Sequence, residues 1–212
     1  MSGITRPTEE WRRKARRALF GTEQLRRRVV LSPFAAVREE FTGADEDSGW
    51  WPVRHAKEVS VIQVPQGSVC VDAVLALEPG HQVTFIGTCG TLTAATPLPG
   101  RSLVEPERAT AFDGTRGRRR WTTGPVVALG GHVRTVGHLG QSSAAHAELR
   151  RDADFVDMET AWVFAAALVA RCDVRAVLAV TDGNQGGAVF ETAYEDVAAR
   201  LRAATAHANA SW

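Results

Sequence analysis

The length and composition of the 212-residue chain indicate one ordinary folded domain with a sizeable core, since domains average about 100–200 residues. Apolar residues make up 44% of the sequence, charged residues make up 23%, and 25 basic side chains nearly balance 24 acidic ones. This composition excludes wholesale disorder, and the formal net charge of +1 excludes binding to polyanions through net charge alone.

Signals for targeting, disulfides and metals are missing from the sequence. No apolar run reaches the roughly 18 residues of a membrane span, and the first residues, MSGITRP, lack the apolar core of a signal peptide. The three cysteines, Cys70, Cys89 and Cys172, have no C-x-x-C spacing, and the histidines have no H-x-x-x-H spacing. We therefore expect a cytoplasmic protein with no membrane partner, no metal and no cofactor.

The N-terminal segment is strongly basic. Residues 1–28 carry nine basic and three acidic side chains, a local charge of +6. A helix start is predicted at Pro7–Glu10, and Trp11 and Leu19 recur at helical spacing. Such a segment is compatible with a nucleic-acid or anionic-membrane arm, but we favour a short helix that docks Trp11 and Leu19 on the domain. The sequence thus predicts a basic helical extension over residues 1–28 and one domain over residues 29–212.

Short β-rich runs alternate with helical patterns along the rest of the chain, which predicts an α/β fold with parallel strand pairs. Strands are predicted at Val29–Leu31, Val59–Val64, Val83–Ile86, Val126–Leu129, His132–Val136 and Ala176–Val180. Helices are predicted at Phe34–Phe41, Ser68–Leu77, Ser142–Arg151, Asp157–Arg171 and Glu191–Ala206.

Two candidate site segments directly follow predicted strands, where ligands bind in open α/β sheets. Gly87–Thr91 has glycines that let a ligand approach and a threonine, Thr88, that offers a hydroxyl and an N–H, although a purely structural turn would have the same pattern. Asp182 precedes the glycine-rich stretch Gly183–Gly187, which suits a general acid beneath a mobile loop, with a turn aspartate as the alternative.

The third candidate segment opens a helix that stays apolar until Arg171 and is therefore expected to be buried. Asp157 is placed to cap this helix. Glu159 is predicted to lie one turn inside, where a carboxylate is costly unless donors or a ligand satisfy it. We favour a ligand-binding Glu159 over a charge that only complements the positive helix end.

Taken in order, these segments resemble the nucleoside phosphorylase and nucleosidase superfamily, which includes purine nucleoside and uridine phosphorylases and methylthioadenosine/S-adenosylhomocysteine nucleosidases. VDMETA at Val156–Ala161 is similar to the V-D-M-E-S/T-A signature, and FIGTCG at Phe85–Gly90 to a strand ending in G-T-x-G. VTD at Val180–Asp182 is similar to I/V-S-D, and VPQGS at Val64–Ser68 to G-x-G-S/P. The resemblance implies a three-layer α/β/α fold with a mixed, partly closed central sheet, and cleavage of a ribosidic C–N bond.

The resemblance also implies roles for individual residues. Glu159 would accept hydrogen bonds from the ribose 2′- and 3′-hydroxyls, and Met158 would pack under the sugar. Asp182 would protonate the departing base, which requires a raised pKa. Thr88 and the backbone of Cys89 and Gly90 would line the nucleophile side, and His138 is a candidate contact of the base, with a structural histidine as the alternative.

Two departures from the family pattern concern the nucleophile. Phosphorylases carry R-x-G-S/T, in which the arginine binds phosphate, whereas Phe85 occupies that position here. Hydrolytic members place a glutamate after the first strand to activate water, but this chain has none before Glu39. Arg38 lies within one residue of a phosphate-binding arginine of some phosphorylases. We favour hydrolysis over phosphorolysis, because phenylalanine in place of the arginine removes a charge-assisted contact to phosphate.

Two alternatives to a nucleosidase or phosphorylase remain open. One is an enzyme of the same fold that acts on another ribosylated natural product, and the other is a nucleoside-binding or scaffolding module with decayed catalysis. Nucleic-acid binding is not expected, because Arg116–Arg120 lack interleaved stacking aromatics and lie in a stretch, residues 101–121, predicted to be a solvated loop. Expected partners are a small-molecule nucleoside, phosphate if the reaction is phosphorolysis, and, by analogy, a homo-oligomer that is a dimer or a trimer of dimers.

Overall fold

A mixed sheet of 11 strands, flanked by helices, organises the chain. The computed structural model describes residues 4–92, 103–120, 130–137, 148–149, 151–182 and 194–210. The strands are β1 (Arg28–Ser32), β2 (Ala44–Glu46), β3 (Val53–His55), β4 (Val59–Gln63), β5 (Gln82–Thr91), β6 (Leu103–Val104), β7 (Arg108–Ala111), β8 (Arg116–Arg118), β9 (His132–Thr135), β10 (Phe155–Asp157) and β11 (Asp173–Asp182). The helices are α1 (Glu9–Phe20), α2 (Ala35–Glu39), α3 (Cys70–Ala76), α4 (Thr160–Ala170) and α5 (Tyr194–Ala210).

The long strand β5 is the centre of the sheet. It pairs in parallel with β1 and β11, and its last residues pair antiparallel with β10. The strand order is β2-β3-β4-β1-β5-β10-β9-β7-β8, with β11 joining β5 to β6. The predicted α/β fold with a mixed sheet is confirmed, while the described strands form an open path without the predicted partial closure.

Alternate residues of the central strands face two separate apolar clusters, because side chains of a strand point to opposite sides of the sheet. In β1, Val29 and Leu31 belong to the larger cluster, with residues of α3 and α4, whereas Val30 belongs to the smaller one, with residues of α5. Helices therefore cover both faces, which gives the three layers expected. Helix α4 is buried along most of its length, as its apolar sequence predicts.

Several predicted boundaries are wrong, and the reasons are local. Gly87–Thr91, expected to form a turn, belongs to β5; a side chain at Gly87 would place its Cβ 2.8 Å from the Phe85 ring, so glycine fits here by its size. The predicted solvated loop contains β6, β7 and β8, which are two to four residues long and too short to show a clear alternation of large apolar and polar side chains. The predicted strand Val126–Leu129 and most of the predicted helix Ser142–Arg151 lie outside the described residues.

Helix α1 packs against α3, and one of the two residues expected to dock it does so. Leu19 is buried as predicted, whereas Trp11 is 41% exposed. Arg12 and Arg16 are buried instead. The Arg16 guanidinium donates to the Ala76 carbonyl at the end of α3, at 3.0 Å, where the unpaired carbonyls of a helix attract a cation. Within the described residues, no helix combines the length and the apolarity that a bilayer crossing requires.

Candidate active site

Glu159 lies at the junction of β10 and α4, immediately before the first helical residue. It is not one turn inside the helix as predicted, because its backbone (φ −133°, ψ −37°) is not helical. The side chain is 5% exposed, and its Oε1 accepts a hydrogen bond from the Gly67 N–H at 2.8 Å. The carboxylate is thus buried and oriented by a residue that is 92 positions away in the chain.

Gly67 presents that N–H from a turn of 3-10 helix, Gly67–Val69, which leads into α3. Its φ is +79°, in the left-handed region that favours glycine, and no atom lies within 4 Å of where a Cβ would be. Backbone conformation, and not space, therefore calls for glycine here. Sequence analysis singled out VPQGS only as part of a resemblance and assigned Gly67 no role.

Asp157 caps helix α4, which confirms the structural role predicted for it. Its Oδ2 accepts from the Thr160 N–H at 2.8 Å and from the Thr160 hydroxyl, and its Oδ1 accepts from the Thr135 hydroxyl at 2.6 Å. The Thr135 oxygen in turn accepts from the Ala161 N–H at 2.9 Å. Because these partners use both carboxylate oxygens, Asp157 fixes the start of α4 and hence the position of Glu159.

The pKa of Glu159 is raised from 4.5 to about 7. Burial is the main cause, the nearby charge of Asp157 adds to it, and the backbone N–H groups of Gly67 and Met158 oppose it. Burial also raises the pKa of Asp157, against its hydrogen bonds to Thr135 and Thr160. A ligand that donates hydrogen bonds would strongly stabilise the ionised form of this buried carboxylate.

Glu159 lines a cavity of about 70 Å³ at the ends of β5 and β10. The cavity is lined by Pro33, Phe34, Gln66, Thr88, Cys89, Gly90, Val156, Asp157, Met158 and Glu159. It is smaller than the ~300–1,000 Å³ typical of small-molecule sites, so the described walls enclose only part of a nucleoside-sized ligand. The structure brings together five predicted site residues, from two distant segments, and adds Pro33, Phe34 and Gln66, which sequence analysis did not select.

Asp182 ends β11, and its backbone pairs with Gly90 of β5 across an irregularity after Val180. Gly90 also pairs with Val156 of β10. The end of β5 therefore lies between Asp182 on one side and the segment that leads to Glu159 on the other. Arg200 of α5 donates to the Val180 carbonyl at 2.7 Å and braces this end of β11. The Asp182 side chain, the 183–187 loop and His138 lie outside the described residues, so the roles predicted for Asp182 and His138 stay predictions.

The described lining of this cavity contains no arginine or lysine. Arg38, the candidate replacement for a phosphate-binding arginine, instead pairs with Asp45, its Nη1 lying 3.2 Å from Oδ1. Asp45 also pairs with Arg54 at 2.7 Å. Phe85 is fully buried in the core and does not reach the cavity.

Comparison with known proteins reveals similarity in structure rather than in sequence. No family model and no curated protein matches the sequence. The structure is similar to 5′-methylthioadenosine nucleosidase from Arabidopsis thaliana, with a TM-score of 0.74 and 18% identity over 88% of this chain and 94% of that one. AMP nucleosidase from Bacteroides thetaiotaomicron matches with a TM-score of 0.69 and 16% identity, over 95% of this chain and 97% of that one. Futalosine hydrolase from Helicobacter pylori matches with a TM-score of 0.67 and 12% identity, over 90% of this chain and 98% of that one.

The chain has the nucleoside phosphorylase and nucleosidase fold. Matches that cover nearly the whole of each nucleosidase show that the resemblance inferred from short motifs extends over the complete architecture. In this nucleosidase fold, the VDMET segment forms the β10–α4 junction and FIGTCG forms the second half of β5.

Proposed function

We propose that the protein cleaves the ribosidic C–N bond of a nucleoside or nucleoside-like metabolite, and that water is the nucleophile. The observation that carries the proposal is the buried Glu159 carboxylate, held by the Gly67 N–H at the wall of a cavity that Thr88, Cys89 and Gly90 also line. The solved structures that share this fold include a 5′-methylthioadenosine nucleosidase, an AMP nucleosidase and a futalosine hydrolase.

Glu159 would bind the ribose and stabilise its transition state. Cleavage of a ribosidic bond passes through a sugar with oxocarbenium character, so a carboxylate near the ribose becomes more favourable as positive charge develops. With a pKa of about 7, Glu159 is easily neutralised in the empty site. The ribose 2′- and 3′-hydroxyls would supply the donors that keep it ionised, and Met158 beside it would pack against the sugar.

Asp182 would act as the general acid that protonates the departing base. The pairing of its backbone with Gly90, a residue of the cavity wall, supports this assignment. His138 remains a proposed contact of the base.

The choice of water over phosphate rests on charge. Phosphate binding favours arginine, whose guanidinium matches its oxygens, and the described cavity lining offers none. Arg38 is occupied by Asp45. Water needs only hydroxyl and amide partners, and Thr88 and Gln66 line the cavity.

The proposal is tested by incubating the purified protein with adenosine, inosine, AMP and 5′-methylthioadenosine and separating the products by chromatography. Release of free base and free sugar, at a rate that phosphate does not change, is the expected result. Formation of ribose 1-phosphate with a rate that saturates in phosphate would establish phosphorolysis. Nucleoside binding without any release of base would favour a binding module and contradict the proposed activity.

A further inference from the structure

A second cleft, far larger than the cavity at Glu159, lies beside β9, β7 and the edge strand β8 and encloses about 700 Å³. This volume is within the ~300–1,000 Å³ typical of small-molecule sites. Its polar lining includes Arg108, Arg116, Arg118, Arg120 and Arg134, with Asp152 as the one carboxylate among the described lining residues. We call it the arginine cleft.

Strand register places four of these arginines on one face of the sheet. Arg108 of β7 lies directly opposite Arg118 of β8. Thr110, two residues further along β7, lies opposite Arg116 and beside Arg134 of β9. Because residues paired across strands point to the same side, these guanidinium groups leave the sheet together.

The opposite face of the same strands is closed by helix α4. A Cβ added at Gly117 would lie 2.3 Å from the Phe164 Cβ, so β8 packs directly on the helix. Ala109 and Val133 are buried on this side. The arginines alternate with these buried residues and so point to the other face, while Phe164 and Leu168 of α4 also line the cleft.

No carboxylate neutralises the four arginines within the described part of the chain, where every ion pair within 4.0 Å involves other basic residues. Arg119, by contrast, pairs with the buried Glu105 at 3.3 Å. Arginines directly opposite each other on neighbouring strands repel, and the buried Nε of Arg134 has no hydrogen-bond partner among the described residues. An anion bound between these guanidinium groups would offset their mutual repulsion.

The pattern of the charges indicates the kind of anion. Strands lie about 4.8 Å apart and alternate residues about 6.6 Å apart, so the four arginine backbones fall within a patch of about 10 by 7 Å. Guanidinium groups match phosphate oxygens in pairs. A compact patch fits linked phosphates that lie close together, whereas an extended nucleic-acid strand needs a longer basic stripe with stacking rings. The two rings in the described lining, Phe164 and His132, are both buried.

We propose that the arginine cleft binds a small ligand that carries two or more linked phosphates, at a site separate from the Glu159 cavity. The two sites share no described lining residue.

Titration of the full chain with inorganic tripolyphosphate, followed by calorimetry, tests the proposal. The double variant Arg116→Gln/Arg118→Gln alters two exposed side chains and should weaken binding about tenfold or more, since charge-assisted contacts are lost. Arg13→Gln/Arg202→Gln removes the same charge from exposed positions of α1 and α5 and should bind as the wild type does. The unliganded cleft variant should unfold at or above the wild-type temperature, because a like-charge pair is removed.

Equal affinity of the wild type and the cleft variant for tripolyphosphate would overturn the proposal, as would equal affinity of the wild type for monophosphate and tripolyphosphate. Binding of a single-stranded oligonucleotide to the wild type and to the cleft variant is measured in the same way. If it binds in a cleft-dependent manner while tripolyphosphate does not, the surface is a nucleic-acid site and the proposal is wrong.

Discussion

Glu159 and Gly67, 92 positions apart in the chain, are joined by a hydrogen bond of 2.8 Å from the backbone N–H of the glycine to the carboxylate. The bond connects the turn before α3 with the start of α4, so two segments that are distant in sequence fix one buried acid. Asp157 fixes the same junction through its hydrogen bonds with Thr135 and Thr160. The result is a carboxylate that is rigidly placed but electrostatically unsatisfied.

The cost of that placement should be visible in the stability of the protein. The folded-state pKa of Glu159 is about 7, above the ordinary 4.5, so the folded protein favours the neutral acid. Its contribution to stability is complete below pH 4.5 and is lost as the pH rises to 7. Glu159→Gln keeps the acceptor for Gly67 and removes the charge, and should be more stable than the wild type at pH 8 by about 3 kcal/mol, at about 1.4 kcal/mol per pKa unit. Urea unfolding at pH 8 and pH 4.5 measures this, and a difference that does not shrink at pH 4.5 would contradict it.

The same pKa predicts an acid limb in the activity of the wild type. Ribose binding requires the ionised carboxylate, so kcat/KM for a nucleoside should fall as the pH drops below about 7. A profile of kcat/KM between pH 5 and 9 checks this. A rate that stays constant down to pH 5 would mean that Glu159 ionises normally or is not needed in its charged form.

Gly67→Ala should damage the site more than it damages the fold. Alanine at φ +79° costs about 1–2 kcal/mol, and relaxation of the turn would move the N–H away from Glu159. Activity should fall about tenfold or more, because small misplacements at a reacting centre are costly. Gly80→Ala is the matched control, since Gly80 has φ +90° and equally open surroundings but lies outside the cavity. Equal losses of activity in both variants would show that Gly67 acts through stability alone.

Sequence patterns located the elements with strong periodicity and missed those defined by distant contacts. The apolar run after VDMET correctly predicted a buried α4, and Asp157 was recognised as its cap. The role of Gly67 depends on a contact with Glu159, 92 positions away, which local sequence does not encode. Strands β7 and β8, with the sequences RATA and RGR, are short and turn only alanine or glycine to the buried side, so their hydrophobic signal is weak. At α1, the guanidinium of Arg16 replaces an aromatic as the docking group, because the end of α3 offers it a carbonyl.

Asp182→Asn tests the general acid. A positioned acid contributes about 10²–10⁴-fold, so the variant should lose that much activity on nucleosides with poor leaving groups. It should retain far more on a nitrophenyl riboside, whose leaving group needs no proton, and substrate binding should change less than turnover. Equal losses on both substrates would show that Asp182 shapes the end of β11 rather than transferring a proton.

The central claim is that the buried Glu159 carboxylate binds the ribose of a nucleoside during C–N bond cleavage, and the most direct measurement is kcat/KM of Glu159→Gln on the best nucleoside found. Weakening of charge-assisted hydrogen bonds to two hydroxyls should lower kcat/KM by about 10²-fold or more, with the fold intact. The exposed Glu58→Gln, which removes the same charge away from the cavity, should match the wild type. A Glu159→Gln variant that cleaves nucleosides at the wild-type rate would contradict the account.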